Sequence, residues 1–179
     1  MLKQDRTLPI DEQPWPEEGK PKLRDLNLGA WLQRHNHQRV SELLNGLTTE
    51  LQARYSDVPI FGVGYCFGGK HVLKLAKTVL KAAAAFHPSF VEADDLHGVK
   101  APLYVGLAEK DDMVPATLPD DLPAWAAKGL VDGVPFDLDI YPGMKHGFAA
   151  RPDTHDESIR QRYCQALSKT LKHFARHAI

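Results

Sequence analysis

Short apolar runs alternate with stretches of helical spacing along most of the chain. The apolar runs predict strands over residues 58–63, 82–87, 101–107 and 134–141. Helical spacing of apolar positions predicts helices over residues 25–35, 38–54, 70–80, 119–129 and 156–176. Alternation of this kind is typical of a mostly parallel sheet covered by helices on both faces, so the sequence predicts an α/β fold.

The beginning of the chain lacks this alternation. Residues 1–22 carry four prolines among charged residues, so we expect a loop or an extended arm there, without strand or helix. We therefore predict a Pro-rich arm with a short helix over residues 1–35 and a single α/β domain over residues 36–179.

Composition limits the class of protein. A chain of 179 residues can bury roughly 70% of its unfolded surface as one domain. The formal net charge of −1 gives no electrostatic reason to expect a nucleic acid or a membrane as partner. Two cysteines are too few for a disulfide framework and fit a reducing compartment. With neither a signal-peptide pattern nor an apolar run of 18 residues, we expect a soluble, cytoplasmic protein.

A glycine-rich stretch, Gly64-Tyr65-Cys66-Phe67-Gly68-Gly69, joins the first predicted strand of the domain to the helix that follows. It matches the G-x-S-x-G nucleophile elbow, a sharp strand-to-helix turn, with cysteine in place of serine. Glycines beside the apex let the helix begin close to the strand and let the apex residue adopt a strained backbone conformation. The pattern predicts that Cys66 is a nucleophile held clear of the sheet.

A thiol nucleophile needs a base and an acid that orients the base. In open α/β sheets such groups cluster beyond the carboxyl ends of the strands. Asp111 and His146 follow two later predicted strands, so the chain order of Cys66, Asp111 and His146 is that of an α/β-hydrolase triad. Asp112 competes with Asp111 for the role of acid, with loop capping as its alternative role.

The remaining histidines and the second cysteine have structural interpretations. His87 ends a predicted strand near the site, and we favour a structural or pocket-lining role for it over that of a second base. We expect the other seven histidines at the surface, and Cys164 as a packed core thiol. The sequence contains no C-x-x-C, H-E-x-x-H or G-x-x-x-x-G-K motif, so we predict neither a metal nor another cofactor.

Four stretches form a more specific set: residues 62–70 with the elbow, 85–92, 111–115 with D-x-x-V-P, and 141–148 with H-G-F. As a set they resemble the dienelactone hydrolase family of the α/β-hydrolase fold, and its fungal, carboxymethylenebutenolidase-like branch in particular. The resemblance covers residues 36–179. It implies that Cys66 is the nucleophile, Asp111 the acid and His146 the base in hydrolysis of small lactones or esters through a thioester.

The resemblance also implies how an intermediate and a substrate are held. The backbone N–H of Phe67, at the start of the helix, is the expected oxyanion donor. The residues expected to contact the substrate are Tyr65, His87, Phe148 and Arg151. Bacterial members use an arginine four residues after the base, where this chain has Ala150, with Arg151 directly after it.

The family fold begins with several strands for which residues 1–35 show no pattern. We therefore expect a shortened sheet whose elbow strand is an apolar edge, open to self-association or to completion by another segment. Two further functions stay open. One is a non-catalytic or partner-completed descendant that binds a small molecule or a protein. The other is acyl transfer or cyclisation on a polyketide-like ester.

Overall fold

The computed structural model describes residues 16–17, 20–21, 29 and 33–178. By its internal contacts the chain divides into two compact units, Met1–Leu44 and Asn45–Ile179. The predicted boundary between an arm and a domain at residue 35 stays a prediction, and most of the predicted helix 25–35 lies outside the described residues.

The main sheet confirms the predicted α/β fold. Among the described residues it has four parallel strands in the spatial order β3 (Phe61–Tyr65), β4 (Ala82–Phe86), β5 (Leu103–Lys110) and β6 (Phe136–Lys145). The helices are α1 (His37–Arg54), α2 (Phe67–Ala76), α3 (Ala93–Leu96), α4 (Leu118–Gly129) and α5 (Glu157–Arg176).

The sheet is covered on both faces at β4, since successive side chains of a strand point to opposite faces and all of those of β4 are buried. All five residues of β4 are buried, and four of them are alanines, which leave room for helices to approach. One core cluster packs α2 and α4 on the face that includes Leu103 and Val105. The other packs α5 on the face that includes Phe86 and Tyr104.

The structure shows three differences from the sequence predictions. Two short strands, β1 (Pro16–Glu17) and β2 (Lys20–Pro21), pair antiparallel in the segment predicted to carry none. Proline is the first residue of β1 and the last residue of β2, and prolines are confined to such terminal or edge positions because they cannot donate to the ladder. The four-residue helix α3 was not predicted, because it is too short to show a periodicity.

The third difference lies in β6, which was predicted to end at Tyr141 but continues to Lys145. Its pairing with β5 is in register up to Tyr141, and then an irregularity brings Lys145 opposite Lys110. Gly143 adopts a φ of 77° within this bulge, which favours glycine, and its N–H donates to the Glu109 carboxylate at 2.7 Å. The bulge lets the strand continue past the Pro-Gly pair that was expected to end it.

Strand β3 is an edge strand among the described residues, since it pairs only with β4. Its Val63 is 42% exposed. The expected open edge is therefore present among the described residues, with an apolar side chain exposed on the strand that leads into the elbow. No helix in the described part of the chain is long and apolar enough to cross a membrane.

Candidate active site

The turn between β3 and α2 has the geometry of a nucleophile elbow. Cys66 lies at its apex with φ 51° and ψ −120°, a region that non-glycine residues occupy at a cost. A Cβ atom at Gly64 would lie 2.3 Å from the Gly68 carbonyl oxygen, and one at Gly69 would lie 2.4 Å from Pro88 Cβ. Glycine at these two positions therefore permits the close approach of helix to strand.

Backbone hydrogen bonds hold the strained apex in place. The Cys66 N–H donates to the Phe86 carbonyl at 3.0 Å, which extends the β3–β4 ladder into the turn. The Cys66 carbonyl accepts from the N–H groups of Gly69 at 2.9 Å and Ser89 at 3.0 Å. Because these bonds reach both α2 and the loop after β4, they fix the direction of the thiol.

The predicted acid and base meet at the ends of β5 and β6. Asp111 directly follows Lys110 and His146 directly follows Lys145, and those two lysines are paired across the strands. Both Asp111 carboxylate oxygens lie near His146 Nδ1, at 2.9 and 2.8 Å. The side chains are 4% and 12% exposed, so the bond is shielded from water. Asp112 is exposed, and Asp111 is the acid that the structure brings to His146.

The thiol and the imidazole shift each other's pKa. Burial would raise the pKa of Cys66, but His146, together with Ser89 and the Phe67 backbone N–H, outweighs it and lowers the pKa. Burial would lower the pKa of His146, but Cys66 and Asp111 outweigh it and raise the pKa. Both directions favour a thiolate beside an imidazolium.

The contact between thiol and imidazole is close but not a well-formed hydrogen bond. His146 Nε2 is buried, and no described atom satisfies hydrogen-bond geometry with it. The mutual pKa effect nevertheless places it beside Cys66. Catalytic hydrogen bonds are often long until a substrate binds, so this resting geometry is compatible with a base that acts on Cys66.

His87 lies in van der Waals contact range of the base. It is fully buried, with φ 37°, and its ring centroid is 4.8 Å from that of His146. Burial, followed by the charge of His146, lowers the pKa of His87 to about 3, so the ring is neutral at ordinary pH. A ring with so low a pKa is too weak a base to accept a proton near pH 7, which fits the structural or lining role better than that of a second base.

The other predicted substrate contacts differ in accessibility. Phe148 is buried and packs 5.7 Å from the His87 ring, and the partly buried Tyr65 ring lies 6.2 Å from it. Arg151 is near enough to the thiol that Cys66 raises its pKa, although burial outweighs this and lowers the pKa overall. The substrate roles of all four residues stay predictions.

Three surface and core assignments were wrong. Cys164 is exposed, because it lies two residues from the buried Ala166 and hence on the opposite side of α5. His71 is buried on α2, where it packs against the Phe67 ring at 4.9 Å. His173 is buried on α5, and its Nε2 lies 3.2 Å from the Pro102 carbonyl.

Sequence reasoning missed Ser89, whose hydroxyl lies 3.5 Å from the Cys66 sulfur. It also missed Lys70, whose ammonium joins α2 to the loop that carries Ser89. The carboxyl-end rule that led to Asp111 and His146 applies equally to the loop after β4, and it would have drawn attention to Ser89.

Metal-binding clusters and cavities are the other features that could form a site. No group of three or more His, Cys, Asp or Glu side chains in the described part of the chain could hold a metal ion. A cavity of about 380 Å³ lies at β6 and α5, and none of its lining residues belongs to the predicted site. They are Asp137, Leu138, Asp139, Lys169, Lys172, His173 and Arg176.

Comparisons with known proteins place this geometry in context. The sequence model of the dienelactone hydrolase family matches residues 18–178. Hydrolase tropI of Talaromyces stipitatus is 27% identical over 161 residues, which cover 84% of this chain and 61% of that protein. Hydrolase pyvD of Aspergillus violaceofuscus is 28% identical over 162 residues, which cover 90% of this chain and 64% of that protein.

A solved structure of a dienelactone hydrolase-like protein from Klebsiella pneumoniae superposes with a TM-score of 0.64 at 18% identity. The match covers 85% of this chain and 70% of that one, and it shows a shared fold. The chain spans less than two thirds of the length of the two curated hydrolases.

Proposed function

The chain belongs to the dienelactone hydrolase family, and from this premise we propose that it hydrolyses small lactones or esters through a thioester on Cys66. The observation that carries the proposal is the hydrogen bond of Asp111 to His146 beside a thiol on a strained elbow. Acid, base and nucleophile come from three different strand ends, which is the arrangement that acyl transfer requires.

The acylation step follows from the positions of the three groups. The Cys66 thiolate attacks the carbonyl carbon, and the carbonyl oxygen becomes an oxyanion. The Phe67 N–H, whose hydrogen bond to the sulfur lowers the pKa of Cys66, is the donor that we expect for that charge. Collapse of the intermediate breaks the carbon–oxygen bond, and the His146 imidazolium gives its proton to the departing alkoxide.

Deacylation uses the same base in the opposite direction. Neutral His146 takes a proton from water, the hydroxide attacks the thioester carbonyl, and the thiolate leaves. Asp111 accepts from Nδ1–H throughout, which keeps Nε2 free to accept a proton and stabilises the imidazolium once formed. The products are a carboxylic acid and an alcohol, or one hydroxy acid from a lactone.

Arg151 supports a preference for substrates that carry an acidic group. Its guanidinium interacts with the charge on Cys66, so it is close to the reacting centre. A guanidinium can bind a carboxylate through two parallel hydrogen bonds. We therefore favour small acidic lactones and esters, and expect an Arg151→Met variant to raise KM for an acidic ester more than for a neutral one.

A burst experiment tests the proposal. Rapid mixing with p-nitrophenyl acetate should release one equivalent of nitrophenolate per enzyme and leave an acetyl group on the peptide that contains Cys66. Cys66→Ala and His146→Ala should abolish the burst, whereas His155→Ala, which removes an exposed histidine, should retain it. Equal bursts from the wild type and the Cys66→Ala variant would refute the proposal.

The open edge of β3 favours one alternative, a module completed by a partner. Val63 is exposed on a strand edge that is unpaired among the described residues. Such an edge can accept a strand from a second copy or from another chain. If no burst appears and the protein associates through β3, the partner-completed module is the better description.

Two further expectations, on the cellular location and on the branch of the family, complete the proposal. We propose a cytoplasmic location, supported by two cysteines that both remain free thiols. We also propose that the chain belongs to the fungal branch of the family, supported by its similarity to the Talaromyces and Aspergillus hydrolases.

A further inference from the structure

The loop after β4 is an unusual segment beside the elbow. Two of its non-glycine residues have positive φ, 37° at His87 and 61° at Phe90. Such conformations persist only where the surroundings impose them. The His87 N–H donates to the Gly106 carbonyl at 2.7 Å, which fixes the beginning of the loop on β5.

Ser89 lies between these two strained residues and contacts the nucleophile twice. Its N–H donates to the Cys66 carbonyl at 3.0 Å, and its hydroxyl lies 3.5 Å from the Cys66 sulfur. The residue is 3% exposed, so water does not compete for the hydroxyl. A hydroxyl that donates to a thiolate favours the ionised form of the sulfur.

Lys70 holds the far side of the same loop. It lies on α2, four residues after Cys66, and its side chain is 10% exposed. Its ammonium donates to the Phe90 carbonyl at 2.7 Å and forms ion pairs with Glu92 at 3.0 Å and Asp95 at 3.1 Å. The Asp95 side chain is also buried, so movement of the Lys70 ammonium away from it would leave the Asp95 carboxylate buried and unpaired.

We propose that Ser89 is a catalytic residue that donates a hydrogen bond to the Cys66 thiolate, and that Lys70 is a positioning residue that holds Ser89 there. The proposal rests on the proposed function only in taking Cys66 as the nucleophile. Nucleophile and donor are both attached to α2, Cys66 through the chain and Ser89 through Lys70. The elbow and the loop after β4 therefore act as one unit.

The donor acts wherever the sulfur carries negative charge. Before acylation the Ser89 hydroxyl stabilises the Cys66 thiolate, and in hydrolysis of the thioester it stabilises the same thiolate as it leaves. Loss of the hydroxyl should therefore lower the fraction of thiolate at a given pH, a change that can be measured on the sulfur itself without any substrate.

Ser89→Ala tests the donor directly. The rate of carbamidomethylation by iodoacetamide is measured from pH 5 to 10, peptide by peptide, with the exposed Cys164 as internal reference. We expect the midpoint for Cys66 to rise by about one pH unit, which is about a tenfold loss of thiolate below the midpoint. The profile of Cys164 should not move. The charged groups that act on the thiol, His146 and Arg151, and the neighbouring His87 are untouched by this substitution.

The positioning role of Lys70 has a control at the other end of the same helix. Lys77 also donates to a backbone carbonyl, that of Asp94, at 2.7 Å, but this bond is exposed and Asp94 lies in α3, outside the loop that carries Ser89. We expect Lys70→Met/Asp95→Asn, which removes both buried charges, to raise the Cys66 midpoint as Ser89→Ala does. Lys77→Met should leave it unchanged.

The outcomes distinguish this proposal from the proposed function, because alkylation needs no substrate. An unchanged Cys66 profile in Ser89→Ala overturns the role of Ser89, whatever the esterase activity. Equal shifts in the Lys70 double variant and in Lys77→Met overturn the role of Lys70. A Ser89-dependent profile in a protein that shows no burst would sustain this inference and refute the hydrolase.

Discussion

Replacement of Asp111 by asparagine tests the triad at its most buried bond. The substitution keeps the size of the side chain and removes its charge. The carboxylate accepts from His146 Nδ1 at 2.8 and 2.9 Å, and both side chains are largely buried. An amide in its place can present its NH₂ group to Nδ1, which would force the proton onto Nε2. In that tautomer the imidazole cannot accept a proton from Cys66 or from water.

The magnitude has two parts. Loss of a hydrogen bond to a charged group costs about 1.5–3 kcal/mol, which corresponds to roughly a tenfold to hundredfold slower reaction. The wrong tautomer adds to this, and in a serine triad the same type of substitution lowers kcat by about 10⁴-fold. Because thiols ionise more readily than serine, we expect a smaller total here, an acylation rate lower by about 10²–10³-fold.

The assay is the burst rate with p-nitrophenyl acetate, measured alongside the pH profile of Cys66 alkylation. Asp111 is one of the groups that raise the pKa of His146, so the variant should lose imidazolium at lower pH and form less thiolate. Asp112→Asn, one residue away and exposed, is the matched control and should keep the wild-type rate. A burst rate for Asp111→Asn within about threefold of the wild type, less than 1 kcal/mol in barrier, would show that Asp111 does not orient the base.

Three further predictions concern the scaffold. Gly64→Ala should destabilise the fold by about 1–3 kcal/mol in urea unfolding, because its Cβ would meet the Gly68 carbonyl. Gly46→Ala, in open space on α1, should instead stabilise the fold by about 0.5–1 kcal/mol. Equal effects of the two substitutions would contradict the close approach at the elbow. His87 has a pKa lowered from 6.5 to about 3, so below pH 6.5 the unfolded chain binds a proton that the folded chain does not, and stability should fall by about 1.4 kcal/mol per pH unit as the pH drops. His87→Asn, which tolerates positive φ, should flatten the unfolding free energy between pH 6.5 and 5, and His155→Asn should not. Val63→Lys should reduce any self-association seen by light scattering, because an edge lysine blocks strand pairing, and an unchanged mass for an associating protein would exclude β3 as the contact.

The elements that the sequence predicted well are those set by local chemistry. The elbow follows from glycines whose need is visible within six residues, and the structure shows contacts that only glycine permits at Gly64 and Gly69. Asp111 and His146 follow from their places after apolar runs, since parallel strands end at the same edge of a sheet. Periodicity predicted the helix over residues 38–54, but it did not predict which of its apolar side chains are buried, because burial depends on other elements. Leu47 belongs to a helical apolar pattern in α1, yet it is 52% exposed.

The parts that the sequence did not predict depend on register and on loop conformation. Ser89 reaches Cys66 only because β3 and β4 pair with Tyr65 opposite Phe86 and because two non-glycine residues after β4 adopt positive φ. No sequence pattern predicts this strand register or these backbone conformations. The ion pair of Lys70 with Asp95 joins residues 25 positions apart across a whole strand, and charge alone gave no reason to choose this pair among 22 basic and 23 acidic residues.

The position of the base illustrates how a small irregularity decides the chemistry. Up to Ala108 and Tyr141, β5 and β6 pair residue for residue, and with unbroken pairing Asp111 would stand opposite Met144. The bulge at Gly143 inserts two extra residues into β6 and brings Lys145 opposite Lys110, so the next residues, Asp111 and His146, become neighbours. The hydrogen bond that the Gly143 N–H donates to the Glu109 carboxylate stabilises this shift. The contact between Asp111 and His146 therefore depends on a bulge that is stabilised by Glu109, a residue outside the triad. The Pro-Gly pair, which the sequence predicted to end β6, forms part of the bulge that brings His146 next to Asp111.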